Sequence, residues 1–160
     1  MRLIISESIL KKSTHNNLIT VYRCINSEYD KNFNGIQYLS VNKEYSNSFG
    51  EICYKITLDI GNYTILNLGY WNKIYTDKTG KNGNIYNRHQ GLFIIGEMAI
   101  GSNYADELKL FNDALGDSST QQFLNELYSC DAIYGEDAGY VGEFVYAVKN
   151  KKMIVNIEKY

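Results

Sequence analysis

The run from Ile52 to Ile60 constrains this chain most. Ile52, Tyr54, Ile56, Leu58 and Ile60 alternate with Cys53, Lys55, Thr57 and Asp59. A period of two puts the apolar set on one face of a strand, and a helix would scatter it around its circumference. The chain must therefore build a sheet around this strand and a second layer against its apolar face.

Other segments extend that sheet. Leu18 to Cys24 and Ile36 to Ser40 are rich in β-branched and aromatic residues and predict strands. Gly61-Asn62 predicts a turn, with Tyr63 to Leu68 pairing next to the Ile52–Ile60 strand. Asn42 to Phe49 predicts a short helix, with Asn42 as its cap, Glu44 in its first turn and Gly50 at its end. Residues 72–91 hold Asp77-Lys78-Thr79-Gly80-Lys81-Asn82-Gly83-Asn84 and read as a long mobile loop. Gly91 to Ile100 is ambiguous between strand and buried helix.

Two helices are predicted next. Asn103 to Leu115 places Tyr104, Leu108, Phe111 and Leu115 on one stripe, and Gly116 stops it. Ser119 with Gln122 gives a capping-box start for a helix through Cys130 that buries Phe123, Leu124, Leu127 and Tyr128. Strands return at Ala132 to Tyr134, Glu143 to Val148 and Met153 to Ile157. Strands at both ends with helices between them predict a single α+β domain over residues 1–160.

Composition narrows the function classes. The net charge of −2 lacks the basic footprint of a nucleic-acid binder. Three cysteines, Cys24, Cys53 and Cys130, are an odd count without metal-ligand spacing, so free thiols in a reducing compartment are expected. The N-terminal residues do not form a signal peptide, and no run approaches the ~20 apolar residues that span a bilayer. A cytoplasmic protein with no membrane partner is the expectation. The chain has no proline and 15 tyrosines, which fits AT-rich coding of the kind found in low-GC bacteria and their viruses.

Several catalytic signatures are missing. There is no GxGxxG, no P-loop, no HExxH and no GxSxG, and the two histidines, His15 and His89, stand alone. No metal is expected. What remains is Arg23 in the first of the strands read above, Ser40 at a strand-to-helix boundary, and Glu143 at the start of a late strand. Each alone also fits a structural part: Arg23 as a surface or ion-paired cation, Ser40 as a helix-boundary hydroxyl, Glu143 as a solvated acid. Tyr45 and Phe49, four apart, fit core packing as well as a ligand clamp.

These segments resemble a known family in their order. Tyr22-Arg23 resembles the opening motif of ADP-ribosyltransferase-like domains. Tyr38-Leu39-Ser40, followed by Lys43-Glu44-Tyr45-Ser46-Asn47-Ser48-Phe49-Gly50, is similar to their second motif. Ile52 to Ile60 and Asn62 to Leu68 resemble the next two strands. Asp131-Ala132-Ile133-Tyr134 and Glu143-Phe144-Val145-Tyr146-Ala147-Val148 resemble the closing half, where a glutamate opens a late strand. The resemblance implies a split β-sandwich, with two antiparallel or mixed sheets around a cleft for NAD. It implies that Arg23 pairs with the NAD diphosphate or ribose and that Ser40 orients the nicotinamide ribose and helps place Glu143. The resemblance further implies that the Cys24 amide faces the nicotinamide, that Tyr45 and Phe49 stack on it, and that Glu143 is catalytic. The turn from Glu136 to Gly142 would lie beside the acceptor.

Three departures qualify the likeness. Cys24 stands where relatives often have glycine. Leu39-Ser40-Val41 replaces a Ser-Thr-Ser signature. Val141 stands where arginine-directed members carry Glu or Gln, so the acceptor is expected to be something other than arginine. The leading expectation is a mono-ADP-ribosyltransferase using NAD as substrate on a macromolecular acceptor, protein or nucleic acid. A toxin, an effector or a phage-encoded modifier of host machinery, acting in the host-cell cytoplasm, would suit such a chain. The loop at 72–91, with Asn87, Arg88 and His89, would help choose the target. Plain NAD hydrolysis is a close variant. The rival is a non-catalytic anti-defence or regulatory binding protein on the same fold.

Overall fold

In the computed structural model the described residues are 3–6, 9–12, 17–26, 35–79, 109, 112–137, 140 and 142–160. The chain is α+β. Its strands are β1 (Leu3–Ser6), β2 (Ile9–Lys12), β3 (Leu18–Ile25), β4 (Gln37–Ser40), β5 (Ile52–Asp59), β6 (Ile65–Asn67), β7 (Ala132–Glu136), β8 (Phe144–Val148) and β9 (Ile154–Lys159). Its helices are α1 (Lys43–Asn47), α2 (Leu68–Thr79) and α3 (Asp117–Ser129), and a 3₁₀ turn spans Lys151–Met153. One hydrogen-bonded ladder joins the strands in the order β1-β2-β6-β7-β8-β4-β3-β5-β9. Among the described strands only β6 and β7 pair in parallel. That pairing needs a long crossover, to which α2 and α3 belong.

The ladder is uneven. All eight residues of β3 pair with β5, from Leu18↔Asp59 to Ile25↔Ile52. On its other edge β3 meets β4 at a single rung, Tyr22↔Ser40. The sheet also curls. In a flat sheet β8 and β9 would stand four spacings apart, on the order of 19 Å. Residues 149–153 must bridge them, and a 3₁₀ turn that advances only about 2 Å per residue takes up part of that reach.

The sheet buries apolar residues on both of its faces, in two cores. Val21, Leu39, Ile56, Leu58, Ile65, Tyr146, Val148 and Met153 share one. Val145, Ala147, Ile133, Leu66, Leu68 and Trp71 share the other with Phe123 and Leu127 of α3. Strand β8 alternates between them, Val145 and Ala147 on one face and Tyr146 and Val148 on the other, as a two-residue period requires.

The expected elements at β3, β4, α1, β5, β7, β8 and β9 form, with ends shifted by a residue or two. Four expectations are corrected. First, Tyr63 to Leu68 does not pair beside β5; β6 lies between β2 and β7. Asp131 draws it there: its carboxylate accepts from the Thr64 amide at 2.9 Å, and its own amide donates to the Thr64 carbonyl at 2.8 Å. Second, residues 72–79 are helix, not loop, because Leu68 and Trp71 are buried against Phe123 and Leu127. Third, α3 starts at Asp117 after Gly116, and Ser119 is not its cap. Gly116 sits at φ 86°, the left-handed region that glycine tolerates, so it both ends the helical turn at 112–115 and starts α3. Fourth, Tyr128 is exposed rather than buried. The readings over 80–91, Gly91 to Ile100 and most of Asn103 to Leu115 lie outside the described residues.

Candidate functional site

The single-rung junction of β3 and β4 opens into a cleft of about 450 Å³. That is a small-molecule dimension. Strand β3 contributes Tyr22, Arg23, Cys24 and Ile25, and β4 contributes Tyr38 and Ser40. Helix α1 contributes Tyr45 and Ser46, with Phe49 just past its end; Asp137 and Val145 close the far side. Of the six residues expected at a site, Arg23, Cys24, Ser40, Tyr45 and Phe49 line this cleft, and Glu143 does not.

Each lining group has a local cause. The Arg23 atom Nη1 is buried. Ser40 is 5% exposed; its Oγ accepts from the Asn42 amide at 3.0 Å and donates to the Asn42 carbonyl at 2.9 Å. This side-chain-closed turn carries the chain from β4 into α1. Asn42 caps α1 as expected, its Oδ1 accepting from the Glu44 amide at 3.0 Å.

The cysteines correct the sequence reading. Cys24 and Cys53 face each other on β3 and β5 and form a disulfide; Cys130 is a buried thiol. An odd count concealed a cross-strand pair that only the register brings together. Free thiols therefore no longer argue for a reducing compartment. Asn47 at the end of α1 lies over the bond, its Oδ1 3.5 Å from the Cys24 sulfur and accepting from the Tyr160 hydroxyl at 3.0 Å.

Glu143 is held from outside the cleft lining. Asn42 Nδ2 donates to both of its carboxylate oxygens, at 3.3 and 3.2 Å. Ser40 therefore reaches Glu143 through Asn42 and not directly, which corrects the expected arrangement. Gly142 precedes it at φ 84° and donates its amide to Glu136 Oε2 at 3.1 Å. That left-handed residue turns the chain into β8.

The carboxylate that does line the cleft is Asp137. The Tyr45 hydroxyl donates to its Oδ2 at 2.5 Å. Burial, then that hydrogen bond, then the nearby charges of Asp137, Tyr140 and Glu143 hold the Tyr45 phenol far above the usual tyrosine range, so it stays a donor. Tyr45 also packs edge-on against Phe49 at 5.0 Å between ring centroids and at a tilt against Tyr140 at 5.4 Å. Sequence reading missed Asp137, although β7 and β8 pair Glu136 with Phe144, so the next step out sets Asp137 opposite Glu143.

Among the described residues no group of three or more His, Cys, Asp or Glu side chains is placed to hold a metal, and no helix is long and apolar enough to cross a membrane. No protein-family model matches the chain, and no curated protein does. Among solved structures it is similar to a crystal structure of an anti-CRISPR protein, at 16% identity and TM-score 0.41, covering 90% of this chain and 96% of that one. A likeness of that size says nothing about shared function.

Proposed function

We propose that the cleft is an NAD site and that the protein is a mono-ADP-ribosyltransferase that cleaves the nicotinamide glycosidic bond. One observation carries the reading: Arg23, Ser40 and the Tyr45–Phe49 pair, from three separated segments, converge on one cleft where the ladder narrows to a single rung. On this reading that rung divides the ladder into the two sheets that flank a bound dinucleotide. Arg23 would hold the diphosphate through charge-assisted hydrogen bonds, Ser40 would orient the ribose, and the aromatic pair would face the nicotinamide. Glu143, steadied by Asn42, would stabilise the cationic ribose as nicotinamide leaves. The acceptor would be other than arginine.

NAD titration followed by thermal shift tests binding, because a ligand held only by the folded state raises its stability. Nicotinamide release tests chemistry. Glu143→Gln is expected to keep NAD binding and to lower turnover about 100-fold or more. Arg23→Ala is expected to weaken NAD binding chiefly. Near-wild-type release by the Glu143→Gln protein would sink the assignment.

A second reading has its own observation. Glu143 lies outside the cleft lining with both oxygens engaged by Asn42, which suits a binding protein that has no chemistry to perform. It predicts no thermal shift at millimolar NAD.

A further inference from the structure

We infer that Cys24 is a site of covalent modification. A low-molecular-weight monothiol enters through the cleft, exchanges with the disulfide at the Cys24 sulfur, and remains there as a mixed disulfide that occupies the cleft. Cys24 belongs to the cleft lining, and its partner Cys53 does not. Both residues are otherwise buried, at 5% and 9% exposure, so the route in decides which sulfur meets a reagent.

The strand order fixes that route. A thiolate attacks a disulfide along the line of the S–S bond, from the side opposite the sulfur that leaves. Strands lie in the order β4-β3-β5 across this part of the sheet, and the bond spans the last two. Beyond Cys24 the line runs toward β4. Two steps from the Tyr22↔Ser40 rung, antiparallel register would set Tyr38 against Cys24, but no rung forms there and both residues line the cleft. Beyond Cys53 the line runs toward β9, and the Tyr160 amide donates to the Cys53 carbonyl at 3.0 Å. On the sheet's face the bond lies under α1 and the last residue. Asn47 Oδ1 is 3.5 Å from the Cys24 sulfur and 3.7 Å from the Cys53 sulfur, and the Tyr160 hydroxyl is 3.9 Å from the Cys24 sulfur. The cleft is therefore the approach to Cys24, while β9 stands on the approach to Cys53.

The exchange balances. The monothiol loses its proton to solvent, and its sulfur bonds to the Cys24 sulfur. The Cys24–Cys53 bond breaks, its electron pair leaves with Cys53, and that sulfur takes up a proton. One disulfide is consumed and one is formed, so the thiol is the only co-reactant. The released Cys53 thiol has acceptors at hand, Asn47 Oδ1 at 3.7 Å and the Gly50 carbonyl at 3.8 Å. A dithiol acts differently. Its second sulfur resolves the adduct and leaves two protein thiols beside an open cleft.

Glutathione is the probe. Disulfide-bonded wild-type protein is incubated with a mixture of glutathione and its disulfide, quenched with acid and mapped by mass spectrometry. One glutathione on Cys24, with Cys53 as a free thiol, is the expected product. An adduct on Cys53, or no adduct at either residue, overturns the inference. Rates supply a second measure. Glutathione disulfide is reacted with the Cys53→Ser protein, whose Cys24 is free, and with the Cys24→Ser protein, whose Cys53 is free. Both have lost the same cross-link. Cys24 is expected to react about tenfold faster or more, because access governs exchange. Equal rates in folded proteins overturn the inference, and if either variant unfolds the wild-type map decides alone. Occupancy of the cleft rests on the NAD reading and is measured apart from the map. The glutathione adduct of the Cys53→Ser protein is expected to lose the thermal shift that NAD gives the unmodified variant. A shift retained by the adduct shows that the cleft is not filled and overturns that part. No shift in either form sinks the NAD reading and leaves the Cys24 site standing on its map.

Discussion

Along one edge of β3 every residue pairs with β5; along the other only Tyr22 meets β4. The paired edge is also cross-linked, through Cys24 and Cys53. The other edge gives way to the cleft. Same strand, same residues, two outcomes: side chains on a strand can be fixed by one neighbour while the opposite side is left for a ligand. If this division is real, changes at the β3–β5 edge should act on stability, and changes at the β3–β4 edge should act on binding and turnover.

The largest stability effect is expected from the cross-link. The bond joins positions 29 apart, and closing a loop of that size contributes about 3–4 kcal/mol in the chain-entropy picture. Replacing Cys53 by serine, which leaves the cleft-lining Cys24 in place, should lower the urea midpoint accordingly, and a reductant should do the same to the wild-type protein alone. NAD affinity should stay within about threefold once measured below the melting range. A tenfold loss of affinity with intact folding would show that the two edges are not separable.

Next is Gly50, where α1 returns toward the paired edge. A Cβ there would stand 2.2 Å from the Ile25 carbonyl carbon, at the end of β3. Backbone cannot move aside as a flexible side chain can, so Gly50→Ala should cost about 2 kcal/mol. Equilibrium denaturation measures it. An unchanged midpoint would mean that α1 does not press on β3.

The contrast also explains what the sequence could and could not tell. Period two revealed β5, and the Asn42–Glu44–Gly50 pattern revealed α1, because both signals are local. The cleft residues Arg23, Ser40, Tyr45 and Phe49 were reachable because each sits beside such a local signal. Register was not local. Pairing Cys24 with Cys53, sending β6 to β7 instead of β5, and setting Asp137 opposite Glu143 all depend on which strands meet. Helix α2 was legible in part: Leu68, Trp71 and Ile74 recur every three residues, but the polar, glycine-bearing stretch after them outweighed that stripe.

Asn42 tests the open edge at smaller scale. It caps α1 with one end of its amide and holds Glu143 with the other. Asn42→Ala should cost about 1 kcal/mol through the lost cap and also lower turnover. Asn42→Asp keeps the cap but faces Glu143 with a like charge. With the cap kept, its loss of stability comes from that repulsion alone, while turnover falls as far as in the alanine protein. Equal turnover in wild-type and Asn42→Asp proteins would remove Asn42 from the placement of Glu143.

The smallest effect belongs to Tyr45, and it is visible mainly at alkaline pH. An unfolded tyrosine titrates near 10, whereas burial and the Asp137 hydrogen bond keep native Tyr45 protonated well above that. Between those two values the unfolded chain binds fewer protons than the native one, so stability falls as pH rises above about 10. Tyr134, Tyr146 and Tyr160 are raised as well, chiefly by burial, and add to the same slope. Only the difference between two proteins isolates Tyr45. Tyr45→Phe should lose about 1 kcal/mol at pH 7 from the missing hydrogen bond and then decline less steeply than wild type above pH 10. Parallel curves would mean that the Tyr45 hydroxyl titrates as freely in the folded protein as in the unfolded chain. The phenol would then not hold Asp137 in the cleft, and the open edge would lose the contact that links α1 to the β7–β8 turn.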